Sequence, residues 1–226
     1  MSSNQGEHGR SRSANRSRTE GARRAEILDA AIVRFGRNGY ENTKWAEIAD
    51  DVGIGPTALY HYFDSKQHCL YVIIDQALKE IHERFDAVTG ENADPRAALQ
   101  ALCSDCFELS DRDVLRNRVL VAEQVLLGGE GSTEREEQAR QAGREETRAL
   151  EIAWTSFLGE AMKQGAIPDR EPRLLARAML GLYNSIWQWY RPDQTLTLPT
   201  VADFFVARML AVAGLVADAV PGSPGA

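Results

Sequence analysis

Cysteine is scarce in this chain. Three are present among 226 residues, Cys69, Cys103 and Cys106. A low, odd count excludes a disulfide-stapled secreted scaffold and fits a reducing compartment. Long apolar runs are also lacking. The best candidate span, VADFFVARMLAVAGLVADAV at 201–220, is interrupted by Asp203, Arg208 and Asp218. A helix buried between protein surfaces is expected there, with no membrane partner. Residues 1–20 hold no apolar stretch and no legible secretion signal, so the expected location is cytoplasmic. No alternating strand-like pattern of useful length is present, which argues against a sheet protein. A Gly-rich phosphate loop, a nucleophile elbow and a spaced acid pair are all missing. The expectation is therefore no enzyme, no catalytic residues and no cofactor. His61, His68 and His82 show no ligand grouping, so no metal site is expected. Cys103-Ser-Asp-Cys106 has the spacing of a redox or metal pair, but no second pair or His cluster accompanies it. Two small buried residues is the favoured reading.

What charge there is lies unevenly. The net charge is −7, yet residues 1–75 balance at ten Lys/Arg against ten Asp/Glu, and the first 24 hold six Arg against two Glu. A basic N-terminal segment ahead of an acidic body points to an anionic partner at the N-terminal end. Residues 1–20 read as a disordered basic arm, too poor in apolar groups to offset the entropy of ordering. From Ala22 the pattern is helical: Leu28, Ala31, Ile32 and Phe35 share one face, and Asn38-Gly39 stops the run. A short helix from Lys44 to Val52 follows, with Thr43 as its expected N-cap. Gly53 supplies a left-handed turn, and Pro56 opens a third helix carrying Thr57 to Tyr62.

Helices two and three form a helix-turn-helix pattern. Ala49 is small where the helices cross, and Gly53 turns the chain four residues later. Leu59, Tyr62 and Phe63 share the inward face of the third helix. Thr57, Tyr60 and His61 share the outward face, available to a DNA major groove. Tyr and His donors suit phosphate oxygens. The Thr57 hydroxyl and Ala58 methyl suit base edges. Lys66, opening the next helix, is expected to hold a phosphate.

These residues resemble the TetR (TetR/AcrR-like) family of transcriptional regulators. The family's Leu-Tyr-x-x-Phe-x-Ser-Lys signature stands here as Leu59, Tyr60, Phe63, Ser65 and Lys66. The resemblance implies DNA contacts from Tyr60, His61, Tyr62 and Lys66, a homodimer on a pseudo-palindromic double-stranded operator, and a body that binds a small effector. Thr43, Lys44, Trp45, Gly55, Thr57 and Ala58 complete the expected DNA-facing set. Gly55 stands where the family usually has Ser or Thr, and Lys44-Trp45 stand where a hydroxyl residue is common.

The rest reads as all-α. Helices are expected from Lys66 to Ala87, Pro95 to about Leu109, Val114 to Leu127, 133–164 with a stop at Gly165, Arg173 to Tyr190 and Thr200 to Ala219. The expected plan is a helix-turn-helix domain at 21–68, a helical effector-binding and dimerisation domain at 69–220, and a flexible tail at 221–226. Phe107, Leu120, Trp154, Phe157, Leu158, Tyr183 and Trp187 are candidate lining for a hydrophobic pocket, although plain core suits each one singly. Ile186, Trp189, Phe204, Phe205, Arg208, Met209 and Val212 are candidate dimer contacts in the four-helix bundle the resemblance implies. The Trp-x-Trp-Tyr-Arg-Pro-Asp ending at 187–193 is similar to family members that respond to acyl-CoA thioesters, while the acidic body shows no evident basic patch for a CoA phosphate. The expected function is a repressor released by a small hydrophobic, acyl-CoA or lipid-like effector. The alternative is an effector-independent architectural DNA-binding protein whose body docks a protein partner.

Overall fold

The computed structural model describes residues 6–192 and 194–215, with side chains from residue 18 onward. It is all-helical across the described residues. The order is α1 (Gly6–Asn38), α2 (Trp45–Val52), a 3-10 helix (Pro56–His61), α3 (Lys66–Glu91), α4 (Pro95–Asp105), α5 (Asp111–Glu123), a second 3-10 turn (Gln124–Gly128), α6 (Glu134–Lys163), α7 (Pro172–Trp189) and α8 (Leu198–Val212). The expected tail at 221–226 and the last residues assigned to the final helix lie outside the described residues.

For many of the helices, glycine stops and side-chain caps set the ends. Glycines at positive φ stop three of them: Gly39 (φ 86°) after α1, Gly53 (φ 70°) after α2 and Gly165 (φ 71°) after α6. The fourth, Gly214 (φ 85°), follows the last turn of α8. Ser65, Asp94, Ser110, Thr133 and Glu171 cap the N-termini of α3 to α7 with side-chain oxygens that accept backbone N–H groups. Thr43 does not cap α2; that position belongs to Lys44, with no side-chain bond. The expected disorder through residue 20 is also corrected, because α1 is continuous back to Gly6. Extending an existing helix fixes one residue per hydrogen bond and needs no new nucleus. The polar sequence before Ala22 contains no proline to interrupt it.

Packing divides the molecule into a head and a body that share one core. Ile27, Leu28, Ala31, Ile32 and Phe35 of α1 pack with Ile48, Ala49, Leu59 and Phe63 in the head. The body is organised on the pairing of α3 with α6, its most extensive helix contact. Around it α4, α5, α7 and α8 close a core that includes Leu70, Ile73, Leu99, Leu158, Met179 and Trp187. Head and body are joined where α1 crosses α5. A Cβ at Gly36 would stand 2.8 Å from both the Cβ and the carbonyl oxygen of Leu115. Only a residue without a side chain permits that approach. Arg118 of α5 seals the crossing: its Nε donates to the Gly36 carbonyl (3.0 Å) and its Nη1 to the Tyr190 carbonyl (2.7 Å) at the end of α7. Gly36→Val should force α1 from α5 and cost about 1–3 kcal/mol, the usual range for overpacking. Thermal unfolding checks this, and an unchanged midpoint would show that the crossing tolerates a side chain.

Candidate nucleic-acid interface and effector cavity

The third helix is a single 3-10 segment of six residues, too short to be stable alone. Leu59 and Phe63, both 0 % exposed, pin it to the core. Pro56 sits in its first turn behind Gly55, whose extended backbone (φ −66°, ψ 145°) leads into the helix. The tight turn leaves Thr57, Tyr60 and His61 exposed, with Tyr60 at 56 %, while Ala58 and Tyr62 are half-buried. Lys44 and Gly55 are exposed beside them. An exposed tyrosine ring amid hydroxyl, imidazole and ammonium donors forms a surface of one chemistry, suited to phosphates and base edges.

Three expected contacts are redirected. Thr43 is 1 % exposed, and its hydroxyl donates to the Gly39 carbonyl (2.9 Å). Trp45 is half-buried edge-on to Phe63 at 6.4 Å, its indole N–H enclosed without a partner among the described residues. Lys66 turns inward: Nζ donates to the carbonyls of Tyr40 (2.9 Å) and Thr43 (3.0 Å) and lies 4.1 Å from the centre of the Tyr40 ring. It ties α3 to the loop before α2 and so positions the head. Its partners lie 26 and 23 residues upstream, a closeness that local spacing does not reveal.

A polar junction connects this head to the body. Arg135, in the first turn of α6, donates to the Asp64 carboxylate (2.5 Å) and to the Tyr62 carbonyl (3.1 Å). Thr133 donates to the other Asp64 oxygen at 2.6 Å. The Thr133 hydroxyl and Arg135 together hold the Asp64 carboxyl below the usual carboxylate range. Ser65 donates to the buried Glu136 carboxylate, which also accepts the Ser132 N–H (2.6 Å). His68, 4 % exposed, accepts the Asp64 N–H on Nδ1 (3.0 Å), so its imidazole is neutral. Burial and the nearby Arg135 push its pKa below the ordinary value.

A cavity of about 300 Å³ lies in the body, bounded by α3, α4, α5, α6, α7 and α8. Leu120, Trp154 and Tyr183 line it. Phe107, Phe157, Leu158 and Trp187 do not. Phe107 and Trp187 meet the Tyr183 ring edge-on, Phe157 meets Phe85 edge-on, and Leu158 is wholly buried core. The wall is also more polar than expected, with Arg84, Arg116 and Asn117 on it. Their charges are compensated: Arg84 pairs with Asp105 (2.9 Å), and Arg116 with Glu80 (2.5 Å) and Asp113 (3.2 Å). The Tyr183 hydroxyl donates to the Cys106 carbonyl (3.1 Å) and accepts from Asn117 (3.0 Å). Among the described residues, the enclosed Nε–H of Arg116 meets no acceptor. The signal missed in the sequence was Arg116-Asn117, set between the apolar pairs Val114-Leu115 and Val119-Leu120 of α5.

On the outer surface, Trp189 (42 % exposed), Phe204 (52 %) and Val212 (36 %) remain uncovered. Phe205 is partly buried between Phe204 and Trp189, and the Arg208 guanidinium lies 3.9 Å from the Phe204 ring centre. Ile186 and Met209 face inward at 0 % and 2 % exposure, so both belong to the core and not to an outer contact face.

Comparison with known proteins agrees with this architecture. Residues 27–71 match the model of bacterial regulatory proteins of the tetR family, and residues 92–213 match the tetracyclin repressor-like C-terminal domain. The chain belongs to the TetR family. It is accordingly a DNA-binding transcriptional regulator and not an enzyme. The HTH-type transcriptional repressor KstR2 of Rhodococcus jostii is 29 % identical over 193 residues, 83 % of this chain and 89 % of that protein. The solved ketosteroid transcriptional regulator KstR2 of Mycobacterium tuberculosis has a TM-score of 0.68 at 25 % identity, covering 84 % of this chain and 93 % of that one. The structure of AibR in complex with isovaleryl coenzyme A and operator DNA shares the fold, with a TM-score of 0.70 at 24 % identity over 83 % of this chain and 97 % of that one. No helix among the described residues of this TetR-family chain is long and apolar enough to cross a membrane.

Two outcomes follow for the head. Lys66→Met should destabilise it by about 1–3 kcal/mol through carbonyls left unpaired. Operator affinity should fall with no change in salt dependence, since no phosphate contact is lost; a flattened salt slope would restore Lys66 to the interface. Because the folded pKa of His68 is depressed, the unfolded chain takes up its proton more readily. The stabilisation is complete above the unfolded value of about 6.5 and is lost as pH falls through the folded value. Unfolding midpoints between pH 7.5 and 5.5 should decline, and His68→Gln should flatten that decline.

Proposed function

We propose that the protein is a homodimeric repressor whose recognition turn reads a pseudo-palindromic operator and whose grip is released by a small effector in the body cavity. The observation that carries this reading is the split of one short helix, Leu59 and Phe63 wholly buried and Thr57, Tyr60 and His61 exposed. Such a segment has an anchored side and a side free for a groove. Tyr60, His61 and Lys44 supply phosphate and sugar contacts, Thr57 and Ala58 supply base contacts, and Tyr62 sits at the edge. The uncovered aromatic strip of Trp189, Phe204 and Phe205, with Arg208 and Val212, serves the second protomer. Pairing there sets two heads one helical turn of DNA apart, about 34–36 Å.

The cavity supports an effector over the architectural alternative, whose body needs no internal space. Its lining mixes apolar side chains with fixed polar groups, which suits a hydrophobic molecule that also carries polar atoms. The leftover Arg116 donor calls for an oxygen on that molecule, because a buried donor without a partner is costly. The likeness to a ketosteroid regulator agrees with such an effector. Occupancy displaces α6 relative to α3, and the Arg135–Asp64 and Glu136–Ser65 links carry the shift into the recognition turn. A coupling of about 1–3 kcal/mol is enough.

Tyr60→Ala should weaken operator binding and lower the log–log salt slope by about 0.9, the share of one phosphate. Operator titration at several salt concentrations checks this, and an unchanged affinity and slope would remove Tyr60 from the interface.

A further inference from the structure

An open cleft of about 540 Å³ lies beside the recognition turn, where three elements meet. Glu20, Gly21 and Arg24 of α1 form one side, His61 and Tyr62 a second, and Arg135 of α6 the third. The Arg24 guanidinium lies 4.9 Å from the centre of the Phe63 ring and makes no hydrogen bond or ion pair among the described residues. Phe63 is the wholly buried anchor of the turn, so the side chain that fixes the turn also seats Arg24. Burial lowers the Arg24 pKa from the ordinary arginine value, and the like charge of Arg135 acts in the same direction. A guanidinium nevertheless stays charged at neutral pH. Arg135 is exposed, and its two Nη groups hold Asp64 and the Tyr62 carbonyl. Its Nε–H, the Tyr62 hydroxyl and the His61 imidazole make no hydrogen bond among the described residues. Of the nearby carboxylates, Asp64 is already held by Thr133 and Arg135, and Glu20 lines the α1 side of the cleft.

We propose that this cleft seats one phosphate of the operator backbone, held between Arg24 of the head and Arg135 of the body. The inference rests on the recognition turn facing DNA, because His61 belongs both to the exposed side of that turn and to the cleft wall. Guanidiniums present paired N–H donors matched to phosphate oxygens. The imidazole and the phenol hydroxyl add donors of the kind that hold a sugar–phosphate backbone. The two guanidiniums repel each other, and an anion between them relieves that repulsion. The arrangement puts the long helix α6 itself in contact with DNA. Arg135 lies in its first turn, and the middle of the same helix walls the cavity. A shift of α6 therefore withdraws a phosphate ligand directly, as well as pulling on Asp64.

Titration of the full chain with operator and with non-operator duplex, at several salt concentrations, tests the proposal. The double variant R24Q/R135Q should weaken both duplexes by a similar factor, about 10- to 100-fold for charge-assisted hydrogen bonds. Its log–log salt slope should fall by about 0.9, the share of one phosphate. An unchanged slope, or a loss confined to the operator, overturns the proposal. Asp64→Asn breaks the Arg135–Asp64 pair but leaves both arginines, so its slope should match the parent chain. A slope loss equal to that of the double variant would show that Arg135 acts only through Asp64, and the phosphate site would be abandoned. Should thermal unfolding show that the double variant has lost its fold, R24Q and R135Q are titrated singly, and parent-like affinity and slope in both count against the site. If inorganic phosphate raises the unfolding midpoint of the parent chain but not of the double variant, while both bind duplex alike, the cleft holds a free anion and not DNA. Tyr60→Ala separates this inference from the reading it rests on. A slope loss there with none in R24Q/R135Q removes the cleft alone, whereas no loss in either removes the recognition turn as well.

Discussion

The burial of Leu59 and Phe63 is the contact on which the rest of the molecule depends. A 3-10 segment of six residues has too few internal bonds to hold its own shape. Two wholly buried side chains, each contributing roughly 1.5–3 kcal/mol, fix both its position and its rotation. Rotation matters most. A turn of about one residue around the helix would bury Tyr60 and expose Leu59. Lys66 strengthens the same constraint from the next helix, holding the carbonyls of the loop that leads into α2.

The second organising feature is the length of α6. Its first turn grips Asp64 and Ser65 at the base of the recognition turn, and its middle forms a wall of the cavity through Thr147, Leu150 and Trp154. From Arg135 to Trp154 the helix rises about 28 Å at 1.5 Å per residue. One rigid element therefore touches both the head and the cavity. Gly143 lets it lie close to its neighbours: a Cβ there would meet Leu127 at 3.2 Å. In the proposed release mechanism, a ligand pressing on the cavity wall acts on the far end of a lever whose near end is bonded to the base of the 3-10 turn.

Much of the fold was legible because helical periodicity and glycine stops are local signals. The apolar face of α1, the turn at Gly53, the span of α6 and the buried and exposed sides of the recognition turn all follow from residues within a few positions of one another. Most of the misread residues are decided by contacts far along the chain, although the Thr43 hydroxyl is claimed only four residues back. Lys66 looks like a phosphate ligand until Tyr40 and Thr43 are seen beside it. Thr43 looks like a cap until Gly39 claims its hydroxyl. Ile186 and Met209 sit on apolar helices whose rotation is set by packing, so nothing local distinguishes core from outer face. The polar cavity wall was hidden for the same reason. Arg84, Arg116 and their acidic partners come from α3, α4 and α5, and Arg135 lies in a charge-rich stretch that reads as a solvated helix face.

The central claim is that the exposed side of the recognition turn touches DNA. Site-specific photocrosslinking tests it most directly, with a photoreactive phenylalanine analogue placed at position 60 and, separately, at exposed Ile152 on the body. The account predicts covalent capture of operator DNA from position 60 and none from position 152. Capture from the body position, or none from position 60 under conditions where the protein is fully bound, would contradict it.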